Sequence, residues 1–155
     1  MTIDHNTLLF FDASCLIAAA GSPLGGSSFL LSLCEIGLLQ GAVSQFVLWE
    51  AECNINSKLD QQALVNFHRI ILVTPLTVFG LPSVGEREHY RTIVGEKDDH
   101  VVAAAVASGT HFLITLDKRL AERVNAASLG VPALSPGDFV RNILPNHVNY
   151  SALER

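Results

Sequence analysis

Short apolar runs alternate with segments of helical length along this chain, and this alternation restricts the fold more than any other feature. The first run, Leu-Leu-Phe-Phe over residues 8–11, is followed directly by Asp12. Short strands separated by helices form βαβ units, whose parallel sheet is covered by helices on both faces. We therefore predict an α/β protein with a central parallel sheet of four or five strands. The predicted strands are 7–12, 42–44, 71–74, 112–115 and 131–134, and the predicted helices are 14–20, 27–39, 46–59, 61–70, 84–94, 98–108, 118–126 and 136–143.

The size and hydropathy of the chain favour one folded domain. Its 155 residues are typical of a single domain, and its 49% hydrophobic content excludes intrinsic disorder. The longest apolar stretch, 29–39, has 11 residues and contains Glu35, whereas a membrane span needs about 20 residues. The first apolar run lacks the basic flank of a signal peptide. We expect one domain over residues 1–144, a frayed polar tail over 145–155, a cytoplasmic location and no membrane association.

The cysteines and the net charge narrow the function. Cys15, Cys34 and Cys53 are odd in number and lack CxxC spacing, which argues against a disulfide framework or a zinc knuckle. The formal net charge of −5 argues against a protein that binds nucleic acid by neutralising phosphates. Clustered acids that bind cations would remove this objection, because the cations reverse the local charge.

Four acids come from distant parts of the chain and fall where a parallel sheet would gather them. Asp12 and Asp117 each follow an apolar strand, Asp98 begins an Ala/Val-rich helix, and Glu50 lies within a helix. Ligands of open α/β sheets bind beyond the carboxyl ends of the strands. Clustered carboxylates suit Mg²⁺ or Mn²⁺, and such a cation activates water for displacement at phosphorus.

Each acid also has a structural interpretation that the sequence leaves open. Asp98 or Asp99 can cap the helix that follows, and Asp117 can cap the helix that begins at Lys118. Glu50 can belong to a solvated helix face, and Asp12 can serve a turn. Glu52 is a competitor of Glu50, with a poorer position relative to the preceding strand.

Four segments, taken together, resemble the motifs of the PIN-domain family of metal-dependent ribonucleases over about residues 8–144. The resemblance implies a three-layer α/β/α sandwich and a catalytic quartet of Asp12, Glu50, Asp98 and Asp117. It implies that Asp12, Asp98 and Asp117 bind Mg²⁺ or Mn²⁺. Ser14 and Thr115 correspond to supporting hydroxyls, and Asp99 is an additional supporting carboxylate. The four segments are FDASCLI at 11–17, SQFVLWE at 44–50, KDDHVVAAA at 97–105 and FLITLDKRL at 112–120.

The same resemblance implies a function and partners. Many small members are VapC-like toxins, which cleave RNA, pair with an antitoxin protein and form dimers. We therefore predict a metal-dependent endoribonuclease, the toxin of a bacterial type II toxin–antitoxin pair. A homodimer is expected through the helix at 27–39 or 46–59, because both segments are more apolar than one buried face requires.

Several charged residues surround the predicted site. Lys118 and Arg119 are predicted to bind RNA, with Lys97 and Arg123 as further candidates. Arg87 and Arg91 alternate with glutamates and are interpreted as ordinary surface pairs. His100 is expected to pack between helices, with contact to the site as the alternative.

Three other functions remain to be weighed. The first is a PIN-fold RNA-binding module without nuclease activity. The second is a phosphotransferase with Asp12 as nucleophile, although the expected Asp-x-Asp is absent because Ala13 and Ser14 follow. The third is a flavin or nucleotide binder, although neither GxGxxG nor a P-loop follows the first strand.

Overall fold

A computed structural model describes residues 1–153, in which five parallel strands form one sheet of order β3-β2-β1-β4-β5. The predicted central parallel sheet is confirmed. The central strand β1 is the most apolar, and Leu9, Phe10 and Phe11 are completely buried. The strands are β1 (Leu8–Phe11), β2 (Gln40–Ser44), β3 (Leu76–Phe79), β4 (Phe112–Ile114) and β5 (Ala133–Leu134).

The helices form two groups. The chain moves outward from β1 through β2 to β3, then returns to β4 and continues to β5. Right-handed crossovers place the helices of the two halves on opposite faces. In the first half, α1 packs on α2, α3 and α4, and in the second half α5 packs on α6 and α7. These helices are α1 (Ala13–Gly21), α2 (Gly26–Glu35), α3 (Gln45–Lys58), α4 (Gln61–Val73), α5 (Val84–Val94), α6 (Asp99–Ala107) and α7 (Lys118–Ala126).

The strand order reverses direction between β1 and β4. Connections from these neighbouring strands lead to opposite sides of the sheet, which opens a crevice at their carboxyl ends. Asp12 follows β1 and Asp117 lies three residues beyond the end of β4. The prediction that these two acids lie at adjacent strand ends is confirmed.

The predicted strand at 71–74 is wrong. The apolar run Ile71-Leu72-Val73 completes α4, and the Thr74 N–H donates to the Ile70 carbonyl at 3.0 Å. Pro75 follows the helix and precedes the strand β3, which begins at Leu76. A short apolar run has no periodicity that distinguishes a strand from the last turn of a helix.

The predicted helix at 27–39 is four residues too long. It ends at Glu35, and Gly37 adopts a φ of +83°. The Gly37 N–H donates to the Cys34 carbonyl and the Leu38 N–H donates to the Leu33 carbonyl, which is a Schellman motif. This tight end lets the chain enter β2 at Gln40.

A buried ion pair joins α5 to α6. Asp99 is fully buried and accepts hydrogen bonds from Arg87 Nε at 3.1 Å and Arg91 Nε at 3.0 Å. The interpretation of the two arginines as ordinary surface pairs is therefore wrong. Burial raises the pKa of Asp99, but the hydrogen bonds and charges of both arginines outweigh it, so the pKa lies below its usual value.

The C-terminal segment is attached to the start of the chain. It continues through α8 (Pro136–Asp138), a π-helical turn (Phe139–Ile143), a 3₁₀ turn (Leu144–Asn146) and α9 (Tyr150–Leu153). His147 is buried, bonds the Leu38 carbonyl at 2.7 Å and pairs with Ile3 in a parallel bridge. The expected fraying is wrong for the segment around His147. The boundary after residue 144 stays a prediction, and the last two residues of the predicted tail lie outside the described residues.

No single helix within residues 1–153 is long and apolar enough to cross a bilayer. By length and composition alone, α1 and α2 would qualify as a pair bent by 100°.

The ion pair predicts a graded loss of stability. Replacing Arg87 or Arg91 alone by Ala should cost about 1–3 kcal/mol, because the other arginine still pairs with Asp99. The double variant should cost about 3–5 kcal/mol, because it leaves an unpaired buried carboxylate. Chemical denaturation followed by circular dichroism measures both.

The pH dependence separates this prediction from a loss of packing alone. Because the folded pKa of Asp99 is lowered, the stabilisation is complete above its unfolded pKa, about 3.9, and is lost as the pH falls through the folded value. The gap between wild type and the double variant should therefore narrow below about pH 4. An equal gap at pH 7 and at pH 3 would contradict the ion-pair account.

Candidate functional site

Asp12 is the most constrained acid of the predicted site. It is only 6% exposed, and its backbone N–H donates to the Ile114 carbonyl of β4 at 3.0 Å. Its Oδ1 accepts from the Ala13 N–H at 2.8 Å. Its Oδ2 accepts from Thr115 Oγ1 at 2.8 Å and from Ser14 Oγ at 3.1 Å. These bonds fix the carboxylate in a single orientation at the end of β1.

The two hydroxyls connect Asp12 to the loop after β4. Ser14 Oγ accepts from the Leu116 N–H at 3.1 Å, and Thr115 Oγ1 accepts from the Asp117 N–H at 3.0 Å. Each hydroxyl thus accepts a hydrogen bond from a backbone N–H of the loop and donates its own O–H in a hydrogen bond to Asp12. The structure brings Ser14 and Thr115 to Asp12, as the sequence motifs predict.

The other three acids differ in how their side chains are used. Asp117 caps α7, with Oδ1 accepting from the Leu120 N–H at 3.1 Å, so its structural interpretation is confirmed and its catalytic role stays a prediction. Asp98 occupies the N-cap position of α6, but among the described residues its side chain makes no capping hydrogen bond. Glu50 is half-buried on α3. Its competitor Glu52 is exposed, and its Oε1 lies 3.3 Å from Nε2 of His68.

Each of the four acids lies close enough to at least two of the others, and Glu50 to Asp12 and Asp98, for their charges to interact. Burial raises the pKa of Asp12, hydrogen bonds from Thr115, Ser14 and Ala13 oppose this, and the Asp117 charge adds to it. Burial also raises the pKa of Glu50 and of Asp98, and the charge of Asp12 raises both further. Asp98 acts on Glu50, and Asp117 acts on Asp98. The fold therefore gathers four carboxylates that repel one another.

The donor set fits a hard cation that keeps most of its water. All four side chains offer carboxylate oxygens, the ligands that suit Mg²⁺ and Mn²⁺. Within residues 1–153, no three His, Cys, Asp or Glu side chains are close enough together to hold a metal ion by themselves. Mg²⁺ usually takes only one or two protein carboxylates directly and retains several waters. The arrangement fits that mode and does not fit a closed protein cage.

Asp99 lies apart from this cluster. Both of its oxygens are bound by Arg87 and Arg91 on α5. The structure therefore does not bring Asp99 together with the four acids, although the ion pair holds the start of α6, where Asp98 lies.

Basic side chains lie near the acids or follow them directly in the chain. Lys97 is exposed, and its charge opposes the raised pKa values of Glu50 and Asp98. The charge of Arg123 also acts on Asp98. Lys118 and Arg119 are exposed in the first turn of α7, directly after Asp117. Their assignment to RNA binding stays a prediction.

His100 packs between helices, as expected. It is 2% exposed, and its ring centroid lies 4.0 Å from that of Phe46. Burial, with a smaller contribution from the Arg87 charge, lowers the pKa of His100 to about 4, so the ring is neutral at pH 7. Neither ring nitrogen has a hydrogen-bond partner in the part of the chain that the structure describes.

Sequence reasoning missed the aromatic side chains beside the acids. Phe46 and Trp49 lie three residues apart on α3, with ring centroids 5.4 Å apart, and Glu50 follows directly. The spacing of positions 46, 49 and 50 places them on neighbouring parts of the helix surface. That spacing was the available signal.

The doubly wound parallel sheet with acids at its reversal point is a PIN-like α/β fold, and solved structures confirm this class. VapBC2 from Rickettsia felis, bound to a DNA fragment from their promoter, matches with a TM-score of 0.63 and 14% identity, covering 83% of this chain and 98% of that one. VapC20 from Mycobacterium tuberculosis, a sarcin-ricin loop cleaving toxin, matches with a TM-score of 0.57 and 19% identity, covering 80% and 98%. PAE2754 from Pyrobaculum aerophilum matches with a TM-score of 0.60 and 18% identity, covering 88% and 95%.

Sequence comparison adds nothing to this likeness, since no family model and no curated protein matches the chain. At identities of 14–19% the structural likeness establishes the fold. The predicted resemblance to the PIN-domain family is confirmed at that level.

The burial of Asp98, together with the repulsion from Asp12 and Asp117, predicts that its charged side chain destabilises the protein without metal. Because the pKa of Asp98 is raised by folding, its charged form costs stability above the folded pKa. Asp98→Asn should therefore raise the free energy of unfolding at pH 7 in EDTA by about 1 kcal/mol or less. Thermal unfolding measures the change.

The control is Asp138→Asn, which removes an exposed carboxylate paired with Arg141. It should change stability by no more than about 0.5 kcal/mol. The gain from Asp98→Asn should disappear below about pH 4, where the carboxyl is protonated in both states. A loss of stability at pH 7 would show that Asp98 is a structural residue.

Proposed function

We propose that this protein is a metal-dependent endoribonuclease that cleaves RNA phosphodiester bonds, the toxin of a bacterial type II toxin–antitoxin pair. The observation that carries the proposal is the coupled cluster of Asp12, Glu50, Asp98 and Asp117 at the crevice between β1 and β4. The shared fold with VapC20, a sarcin-ricin loop cleaving toxin, supports it. RNA as substrate also makes the cytoplasm the proposed location.

The metal would be Mg²⁺ or Mn²⁺, bound directly by one or two of the carboxylates of Asp12, Asp98 and Asp117 and through its water ligands by the rest. When bound, the cation activates water and neutralises charge that develops on the phosphate. Asp12 is the anchor, because three protein donors fix its orientation. Asp117 keeps one oxygen on its helix cap and offers the other.

Glu50 has a separate task. It lies on a helix, is half-buried, and has a raised pKa caused first by burial and then by its acidic neighbours. A carboxylate of raised pKa is a better proton acceptor, so Glu50 is suited to take the proton from the attacking water.

The exposed cations account for RNA binding by an acidic protein. The charges of Lys97 and Arg123 act on Asp98, and Lys118 and Arg119 follow Asp117 on α7, so these cations can contact phosphates near the cleaved bond. The net charge of −5 then reflects the acids that hold metal, not a surface that repels RNA throughout.

An RNA-binding module of the same fold without nuclease activity is the second candidate. The observation in its favour is that no three potential ligands are preassembled within residues 1–153. The complete acidic quartet favours the nuclease.

We also propose an antitoxin partner and a homodimer. The neighbour VapBC2 supports the first, and exposed apolar side chains support the second. Of the two helices predicted for the dimer, α2 has Phe29 41% exposed and Ile36, just past its end, 66% exposed. The helix α3 exposes Trp49, but contact between copies there would bring two acidic clusters together, so α2 is the proposed interface.

Light scattering tests the dimer. The measured mass should be twice the 16.7 kDa of one chain. The double variant with Phe29→Ser and Ile36→Ser should shift the mass towards that of a single chain. A single-chain mass for the wild type over a wide concentration range would exclude the dimer.

Asp12→Asn tests the catalytic proposal. The variant retains the shape of the side chain but removes the charge that anchors the cation, so RNA cleavage should fall by at least about 100-fold. The assay is cleavage of a mixed RNA pool with Mn²⁺, with Mg²⁺ and with EDTA. Circular dichroism confirms that the variant is folded.

Asp138→Asn is the matched control and should cleave like the wild type, because its carboxylate pairs with Arg141 on the surface. Cleavage that survives EDTA, or that Asp12→Asn retains at the wild-type rate, would assign the acidic quartet a structural role. RNA binding without cleavage by the wild type would favour the second candidate.

A further inference from the structure

An exposed tryptophan stands beside the acidic cluster, and the proposed chemistry does not use it. Trp49 is the only tryptophan of the chain and is 60% exposed. It precedes Glu50 on α3, whose carboxylate is coupled to Asp12 and Asp98. A large aromatic ring is thus exposed on the helix that carries Glu50, and we call this part of the surface the rim of the site.

The tryptophan ring is supported from below. Its centroid lies 5.4 Å from that of Phe46, with the rings inclined by 57°. Phe46 in turn packs on buried His100, with centroids 4.0 Å apart. These contacts between tilted rings connect Trp49 to α6, and Asp98 is the N-cap residue of that helix. A supported ring loses little conformational freedom when a ligand stacks on it.

A cation lies close to the same rim. Lys97 is exposed and near enough to Glu50 and Asp98 for its charge to act on both. Proteins that bind single-stranded nucleic acid combine cations that follow the phosphates with aromatic side chains on which bases stack. Trp49 and Lys97 supply both elements beside the carboxylates.

We propose that Trp49 is the stacking platform for an unpaired RNA base next to the cleaved phosphodiester bond. The inference rests on the proposed nuclease function and specifies its substrate as single-stranded or looped RNA. Trp49 is a positioning residue, since it holds the base while the acids act on the phosphate. A second copy of the chain is a less suitable occupant, because contact at this rim would bring two acidic clusters together.

Fluorescence of the single tryptophan reports directly on this contact. The probe is an eight-nucleotide single-stranded RNA of mixed sequence, added to the Asp12→Asn variant in Mg²⁺ so that it is not cut. Stacking should cause a saturable loss of tryptophan emission. An abasic oligonucleotide of the same length keeps the phosphates and should cause no such loss.

Steady-state kinetics test the consequence for cleavage. Trp49→Ala should raise KM for single-stranded RNA by about 5- to 100-fold with kcat little changed, since the ring does not touch the reacting atoms. Trp49→Phe should recover most of the effect. Leu72→Ala removes an apolar side chain that is 85% exposed on α4 and is the matched control, with unchanged KM. Because Trp49 is exposed, its replacement should leave folding intact.

Each outcome separates this inference from the nuclease proposal. If the wild type cleaves RNA but RNA leaves the emission unchanged and Trp49→Ala retains its KM, the stacking inference is overturned and the nuclease stands. If RNA quenches the emission of a protein that cleaves nothing, the stacking site stands and the nuclease is overturned. Emission that changes with protein concentration alone, and not with RNA, would assign Trp49 to a contact between copies and overturn the inference.

Discussion

The buried carboxylate of Asp12 is the constraint on which the rest of the site depends. It ends the central strand at the point where the sheet reverses its order, and no arginine or lysine neutralises it through a salt bridge within the described residues. Two hydroxyls and one backbone N–H hold it instead. Because Ser14 and Thr115 also bind the loop that leads to Asp117, the position of the second acid follows from that of the first.

Two neighbouring acids show how the fold separates structural from chemical roles. Asp99 is fully buried, and two arginines lower its pKa. Its charge therefore has a structural role, because the ion pairs join α5 to α6. Asp98 precedes it, has a raised pKa and makes no capping bond among the described residues. The charge of Asp99 is compensated within the protein, whereas Asp98 forms no salt bridge among the described residues.

The parts of this structure that sequence could predict are those in which local pattern and burial agree. The apolar run before Asp12 marks a central strand because both faces of a parallel sheet are buried. The run at 71–73 is equally apolar, yet it ends a helix and leaves Leu72 exposed, so hydropathy misled there. The partners of Arg87 and Arg91 depend on how α6 packs against α5, and nearby glutamates gave a false local explanation. Of the candidate site, the motifs predicted the four acids. The aromatic side chains near them could not be predicted from the sequence, because their place depends on the positions of α3 and α6.

Because of the bridge between Ile3 and His147, the amino ends and the carboxyl ends of the strands are held together in different ways. At the amino ends of the strands, His147 bonds to Leu38, just before β2, and pairs with Ile3, just before β1, so the C-terminal segment is joined to the first two strands. At the carboxyl ends of the strands, the negative charges of the acids oppose the close approach of the segments that carry them. The folded state therefore keeps the acids close together through the hydrogen bonds of Asp12 and the joined amino ends, and not through attraction between the acidic side chains themselves.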